Sequence, residues 1–239
     1  NPELPVSGNI GFELTPPAHF SRPVLFKHLL SHTSGILDSE QFNCGYYQSA
    51  DGSSLYNVFY SDLNCPEPAY QALEVFVPNY LQQSGNRYDE SNYQQDENMQ
   101  PGEHFAYSNI GAATAALLMS ATANKPYPEL FEEKLTAPLQ LPQIRWDITG
   151  NMLSGIATRY AKSDGEFVAY PAYGANSWPD GFLTASANDL ARFAQVILAN
   201  NHSVITDAVK DIMFSPLLEQ PLGQGIGYFW GLDHSYASH

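Results

Sequence analysis

The stretch from Asn109 to Asn124 is rich in alanine and leucine, with Gly111 near its start. Both residue types favour helix, and a helix with so few polar side chains has to be covered by neighbours on most of its faces. The rest of the chain must therefore wrap around it. At its entrance stands Tyr107-Ser108-Asn109, reached through Pro101-Gly102-Glu103-His104-Phe105. This places a phenol and a carboxamide two positions apart at the mouth of an apolar helix, a proton acceptor beside an amide able to hold a substrate. Taken alone, the tripeptide also fits a plainer role, with Tyr107 at the edge of the core and Asn109 as an ordinary N-cap, where Asn is common.

A chain of 239 residues can bury a substantial core. Hydrophobic residues make up 44% and charged ones only 15%, which argues against disorder and leaves Asn, Gln, Ser and Tyr to supply much of the polar surface. The formal charge of −15 disfavours nucleic acid or an anionic membrane face as partner, since phosphate contacts need clustered Lys and Arg. No uninterrupted apolar run approaches the roughly 20 residues that cross a bilayer, so no integral membrane segment is expected. The chain opens on Asn1 with neither Met nor a charged-then-apolar leader, and reads as the start of a processed or cut polypeptide.

Cys44 and Cys65 are the only cysteines and flank a segment rich in Tyr, Ser and Gly. A disulfide there would tie down a surface excursion and favour an oxidising, periplasmic or secreted location; two free thiols are the alternative. Two cysteines without nearby His pairs do not suggest zinc, and no metal or cofactor is expected.

Residues 1 to 20 carry four prolines and read as an extended arm. Ser21 can cap a helix carrying Val24, Leu25, Leu29 and Leu30, stopped at Gly35, which leaves His32-Thr33-Ser34-Gly35 at a helix end. From Asp38 to Gln100 the composition turns to Tyr, Asn, Gln and Ser, interrupted by a helical pattern over 70–76 that ends near Pro78; this is long for a simple connection. A further helix is expected from Pro128 to Leu135, and short strands and loops from Gln143 to Tyr173. Ser186 and Asp189 have capping-box-like spacing ahead of Leu190, Phe193, Ala194 and Ile197, which predicts an amphipathic helix. A shorter helix from Thr206 to Phe214 and a glycine-punctuated strand from Gly225 to Leu232 follow.

Tyr107-Ser108-Asn109 together with Leu29-Leu30-Ser31-His32-Thr33-Ser34-Gly35 resembles the serine β-lactamase and penicillin-binding protein superfamily, most closely its class C β-lactamase, esterase and D-aminopeptidase branch. That resemblance implies an α/β fold of the α+β type, a helical region packed on an antiparallel sheet. It also implies a nucleophilic Ser-x-x-Lys, yet no Lys in this chain has a Ser three residues before it. The sequence therefore reads as one β-lactamase-like domain, residues 1–239, incomplete at both ends, whose missing terminal segments would complete the sheet. Against the family's spacing, 38–100 reads as an insertion bordering the cleft.

By the same resemblance, Tyr107 relays protons to the leaving group and Asn109 donates its amide to the substrate carbonyl. A phenol with a pKa near 10 is a poor base at neutral pH, so this role calls for a neighbouring ammonium, which the family's lysine would supply. His32 and Ser34, two residues apart at a helix end, cannot easily form a nucleophile–base pair and are given structural roles. Tyr236-Ala237-Ser238-His239 resembles the start of the third family motif, with His239 as the first residue of a substrate-binding His-x-Gly; a terminal histidine without a role is the alternative. The expectation is a serine hydrolase acting through an acyl-enzyme on an ester, amide or β-lactam bond of a small or peptide-like substrate, with this chain alone inactive. A non-catalytic binding or scaffolding protein on the same fold is the competing reading.

Overall fold

A stretch of backbone hydrogen bonds brings the two motif segments side by side. Gly102 N–H donates to Thr33 O at 2.7 Å and Ala106 N–H to His32 O at 2.8 Å, so the approach to Tyr107 runs along the turn that ends the first helix. Gly102 has φ +94°, and a Cβ there would meet His28 Nε2 at 2.9 Å, so no other residue fits this close approach without displacement. The computed structural model describes residues 1–49, 70–148, 154–163, 165–170, 172–220 and 224–233.

The helices are α1 (Phe26–Leu30), α2 (Glu40–Asn43), α3 (Leu73–Leu81), α4 (Asn109–Ala123), α5 (Tyr127–Phe131), α6 (Ala187–Leu198) and α7 (Asp207–Phe214). A π-helical turn, Glu132–Thr136, continues α5, and a 3-10 turn spans Trp178–Asp180. The strands are β1 (Tyr47–Ser49), β2 (Arg145–Trp146), β3 (Tyr160–Ser163), β4 (Glu166–Ala169), β5 (Tyr173–Ala175), β6 (Leu183–Thr184), β7 (Leu218–Gln220), β8 (Gln224–Ile226) and β9 (Gly231–Asp233). They pair antiparallel as β1–β5, β2–β6, β3–β4 and the meander β7-β8-β9. The result is a mixed architecture of helices and small antiparallel sheets, the α+β type expected.

The core lies around α4. Ile110, Ala113, Ala115, Leu117 and Leu118 are buried against Leu29 of α1, Phe76, Val77 and Tyr80 of α3, and Trp178. Val6 and Ile10 of the N-terminal arm also enter this core, so the arm is a packed part of the fold. Helix α4 runs from the Ser108 cap to Asn124, which closes it in the left-handed conformation at φ 49°. A second, smaller cluster joins Leu139, Leu141, Ile144 and Ile205, with Phe193 and Ile197 of α6 packed on it.

Four local expectations need correction. Helix α1 starts at Phe26 with Leu25 as N-cap, not at Ser21, because Leu25 is bridged to Pro5 and its N–H donates to His28 Nδ1 at 3.1 Å. Helix α3 passes through Pro78 to Leu81; the burial of Tyr80 and Leu81 outweighs the single hydrogen bond that the proline removes. Helix α5 ends at Phe131, and the segment expected to extend it to Leu135 widens into the π-helical turn. The segment 225–232 is two strands rather than one. Gly227 N–H donates to Trp230 O, Phe229 takes φ 58°, and the chain turns back on itself there.

Candidate active site

Helix α4 presents its first turn to a half-buried carboxylate, Asp38. Its Oδ2 accepts from the Asn109 backbone N–H at 2.9 Å and from Asn109 Nδ2 at 2.8 Å, and its Oδ1 accepts from Ile110 N–H at 3.0 Å. Ser108 Oγ accepts from Gly111 N–H at 2.9 Å. The first N–H groups of α4, which have no partner within a helix, are all satisfied, and the negative charge sits at the positive end of the helix dipole. The N-cap is Ser108, not Asn109: Asn109 is the first helical residue, and its side chain bonds to Asp38 and Tyr107 instead of capping the helix.

Tyr107 is 60% exposed, and its hydroxyl donates to Asn109 Oδ1 at 3.0 Å. The expected pair is thus directly hydrogen-bonded. Behind Tyr107 lies the His32 ring, 4.6 Å away and tilted by 34°, itself touched by Phe105 and Phe229. His32 Nδ1 accepts from Ser108 N–H at 3.2 Å, which requires the neutral tautomer protonated at Nε2. Burial pushes its pKa down, against the opposing pull of Asp38. His32 occupies the left-handed region at φ 54°, a conformation rare for a non-glycine residue and held here by its bonds to Ala106 and Ser108. Ser34 Oγ accepts from Ile36 N–H at 3.2 Å and is buried. His32 lies beneath Tyr107, whereas Ser34 sits under the start of α4, close to Gly111.

A second carboxyl group approaches from the 3-10 turn. Asp180 accepts from Tyr46 Oη at 2.8 Å through Oδ1 and from Ser177 Oγ at 2.6 Å through Oδ2. Burial raises its pKa to about 7 despite these two donors, and Asp38 adds to the effect. The Tyr46 phenol is pushed far up by burial and by Asp180. Tyr107 is pushed up as well, first by burial and then by the charges of Asp180 and Asp38. In this environment Tyr107 is a neutral phenol, a proton donor and not a base, and a nearby positive charge would be needed to reverse that.

Sequence reasoning named Tyr107 and Asn109, and the structure joins them. His239 and Cys65 lie outside the described residues, and with them the expected His-x-Gly start and the Cys44–Cys65 pairing; Cys44 is buried at the end of α2. Asp38, Tyr46 and Asp180 were missed. Asp38 follows Gly35 by only three residues, but no local pattern marks it as the partner of a helix about seventy positions later. Among the described residues, no group of His, Cys, Asp and Glu is arranged to hold a metal ion, and no helix is long and apolar enough to cross a membrane.

An antiparallel mixed fold with a Tyr-x-Asn at the mouth of a buried helix defines a β-lactamase-like protein, and the chain belongs to the Beta-lactamase family, whose model matches residues 4–237. Among solved structures it is similar to the octameric penicillin-binding protein homologue from Pyrococcus abyssi, with a TM-score of 0.63, 21% identity, and coverage of 98% of this chain and 48% of that one. It is also similar to EstCE1, a hydrolase with promiscuous acyltransferase activity (TM-score 0.64, 20% identity, 100% and 64% covered). A third is a D-stereospecific amidohydrolase from Streptomyces sp. (TM-score 0.65, 16% identity, 99% and 65% covered). The chain thus spans between about half and two thirds of the length of these structures. No curated protein matches the sequence.

Proposed function

We propose that this chain carries the Tyr-x-Asn portion of a serine hydrolase that works through an acyl-enzyme on an ester, amide or β-lactam bond. The observation that carries the reading is the hydrogen-bonded Tyr107–Asn109 pair, exposed at the capped mouth of α4 and floored by His32. Family membership and the hydrolase neighbours support it. The nucleophile and its lysine come from outside residues 1–239, since no Ser-x-x-Lys lies within them. The serine oxygen attacks the acyl carbonyl, the bond to the leaving group breaks, and Tyr107 passes the serine's proton to that group. Water then cleaves the acyl ester and restores the serine hydroxyl.

Asn109 keeps one Nδ2 hydrogen on Asp38, and its second is available to a substrate carbonyl. The lysine ammonium offsets Asp38 and Asp180 and brings the Tyr107 phenol toward a working pKa. A Cys44–Cys65 bridge and an exported location accompany this reading. In the protein carrying this chain, Tyr107→Phe is expected to reduce kcat on a chromogenic ester by about 10²–10⁴-fold, the range of a lost proton-transfer group. Turnover within a few-fold of the unsubstituted protein sinks the assignment. The absence of a Ser-x-x-Lys from these residues favours, as second reading, a non-catalytic binding protein; failure of β-lactams and activated esters to add an acyl mass to the intact protein would support it.

A further inference from the structure

The side-chain amide of Asn109 has two ends of opposite hydrogen-bonding sense, an NH2 that donates and an oxygen that accepts. A carboxylate accepts only. The end of Asn109 that faces Asp38 at 2.8 Å must therefore be Nδ2, and the oxygen is the end left for Tyr107. Of the two atoms in that 3.0 Å contact, only the phenol carries a proton to share. Asp38 cannot rotate out of this role cheaply. Its two oxygens are also fixed by the Asn109 and Ile110 backbone N–H groups, which position the carboxylate relative to α4.

We propose that Asp38 is a positioning residue that sets the polarity of the Tyr107–Asn109 hydrogen bond, holding the phenol as donor to Asn109 and leaving its oxygen lone pairs open to a proton-carrying partner. For its chemical use this rests on the proposed function, but the polarity itself exists without turnover. A phenolate at Tyr107 would lose its bond to Oδ1 and face a lone pair instead, so Asp38 keeps the proton in place until an incoming cation or a flip of the amide makes its departure favourable.

The ionisable groups that act on Tyr107 are His32 beneath it, Asp38 across Asn109, and, through their charge, Asp180 and its partner Tyr46. Asp38→Asn changes one of them in two ways that act together. It removes a negative charge that opposes the phenolate. The backbone N–H groups of α4 also claim the oxygen of the new amide, so its NH2 turns to Asn109, reverses that amide, and gives Tyr107 a donor in place of an acceptor.

The test is a pH titration of tyrosines labelled at Cζ, followed by NMR in the full protein, with Tyr107 identified by its loss in Tyr107→Phe. Asp38→Asn is expected to lower the Tyr107 pKa by about one unit or more, roughly tenfold in proton affinity. An unchanged or raised value in folded Asp38→Asn overturns the proposal. A second measurement needs no variant at position 38. A coupling through the hydrogen bond between Asn109 Nδ2 and the Asp38 carboxyl carbon is expected in the unsubstituted protein, and an Asn109 amide exchanging as fast as a solvent-exposed one overturns it. Ester turnover by Tyr107→Phe is scored separately, so loss of the catalytic reading leaves the titration result standing, and the reverse.

Discussion

Helices α4 and α6 both begin on a serine cap, yet one is packed on nearly every side and the other on one. In α4, Ile110, Ala113, Ala115, Ala116, Leu117 and Leu118 are buried. In α6 the only buried residue is Asp189, while Leu190 and Leu198 are 57% and 82% exposed. The contrast runs against amphipathicity, because α6 has the cleaner apolar stripe. A stripe states what a helix could bury; the elements gathered around it decide what it does bury. The candidate site lies at the mouth of the clamped helix, where the hydrogen-bonded Tyr107–Asn109 pair has a closely packed support.

The comparison is broken most directly by truncating a leucine in each helix. Leu118→Ala is expected to lower stability by about 2–5 kcal/mol and Leu198→Ala by no more than about 0.5 kcal/mol, read from urea unfolding midpoints. Similar costs would mean that α6 is covered in solution. The packed side also carries two groups whose titration burial shifts, Asp180 and His28. Asp180 has its pKa raised by burial to about 7, so the stability tied to its neutral form is full below the pKa of an unfolded aspartate, about 4, and is lost as pH rises to about 7.

Asp180→Asn should therefore flatten that decline by about 1–3 kcal/mol, after allowance for solvent screening. His28, pushed down to about 4 by burial and Lys27, acts oppositely, losing stability as pH falls from about 6.5 toward 4. It cancels when the variant is compared with the unsubstituted protein at each pH. A decline of equal depth in both proteins would remove Asp180 from the account.

The caps give the smallest difference. Ser108→Ala leaves the Gly111 N–H without its acceptor in a buried setting and is expected to cost about 1–3 kcal/mol. Ser186→Ala, which strands Asp189 N–H at the start of the more open α6, should cost about 1 kcal/mol. The reverse order would show that burial does not set the value of these caps.

Much of this fold could be read from local chemistry. Asn109 to Asn124, Ser186 with Asp189, and Thr206 to Phe214 each carry their own start signal, and each became a helix close to the expected limits. What escaped depended on distant partners. The start of α1 is set by Pro5, the passage of α3 through Pro78 by the pocket that receives Tyr80, and the turn at 227–230 by Phe229 taking a conformation no local rule assigns it. The site divides in the same way. Tyr107 and Asn109 are neighbours in sequence and were legible; Asp38, Tyr46 and Asp180 reach them only through the fold.

The tip of the β8–β9 turn holds one further consequence. Phe229 donates its N–H to Leu30 O and lays its ring 5.2 Å from His32, which in turn supports Tyr107. Leu30 and Phe229 are separated by about two hundred residues, a loop whose closure is slow compared with local helix formation. At ribosomal speeds of about 5–20 residues per second, roughly 10–40 s pass between the emergence of one and the arrival of the other. During translation, then, α4 and its cap can assemble while the wall behind Tyr107 is still unfinished, and the phenol acquires its final surroundings only when that late turn docks.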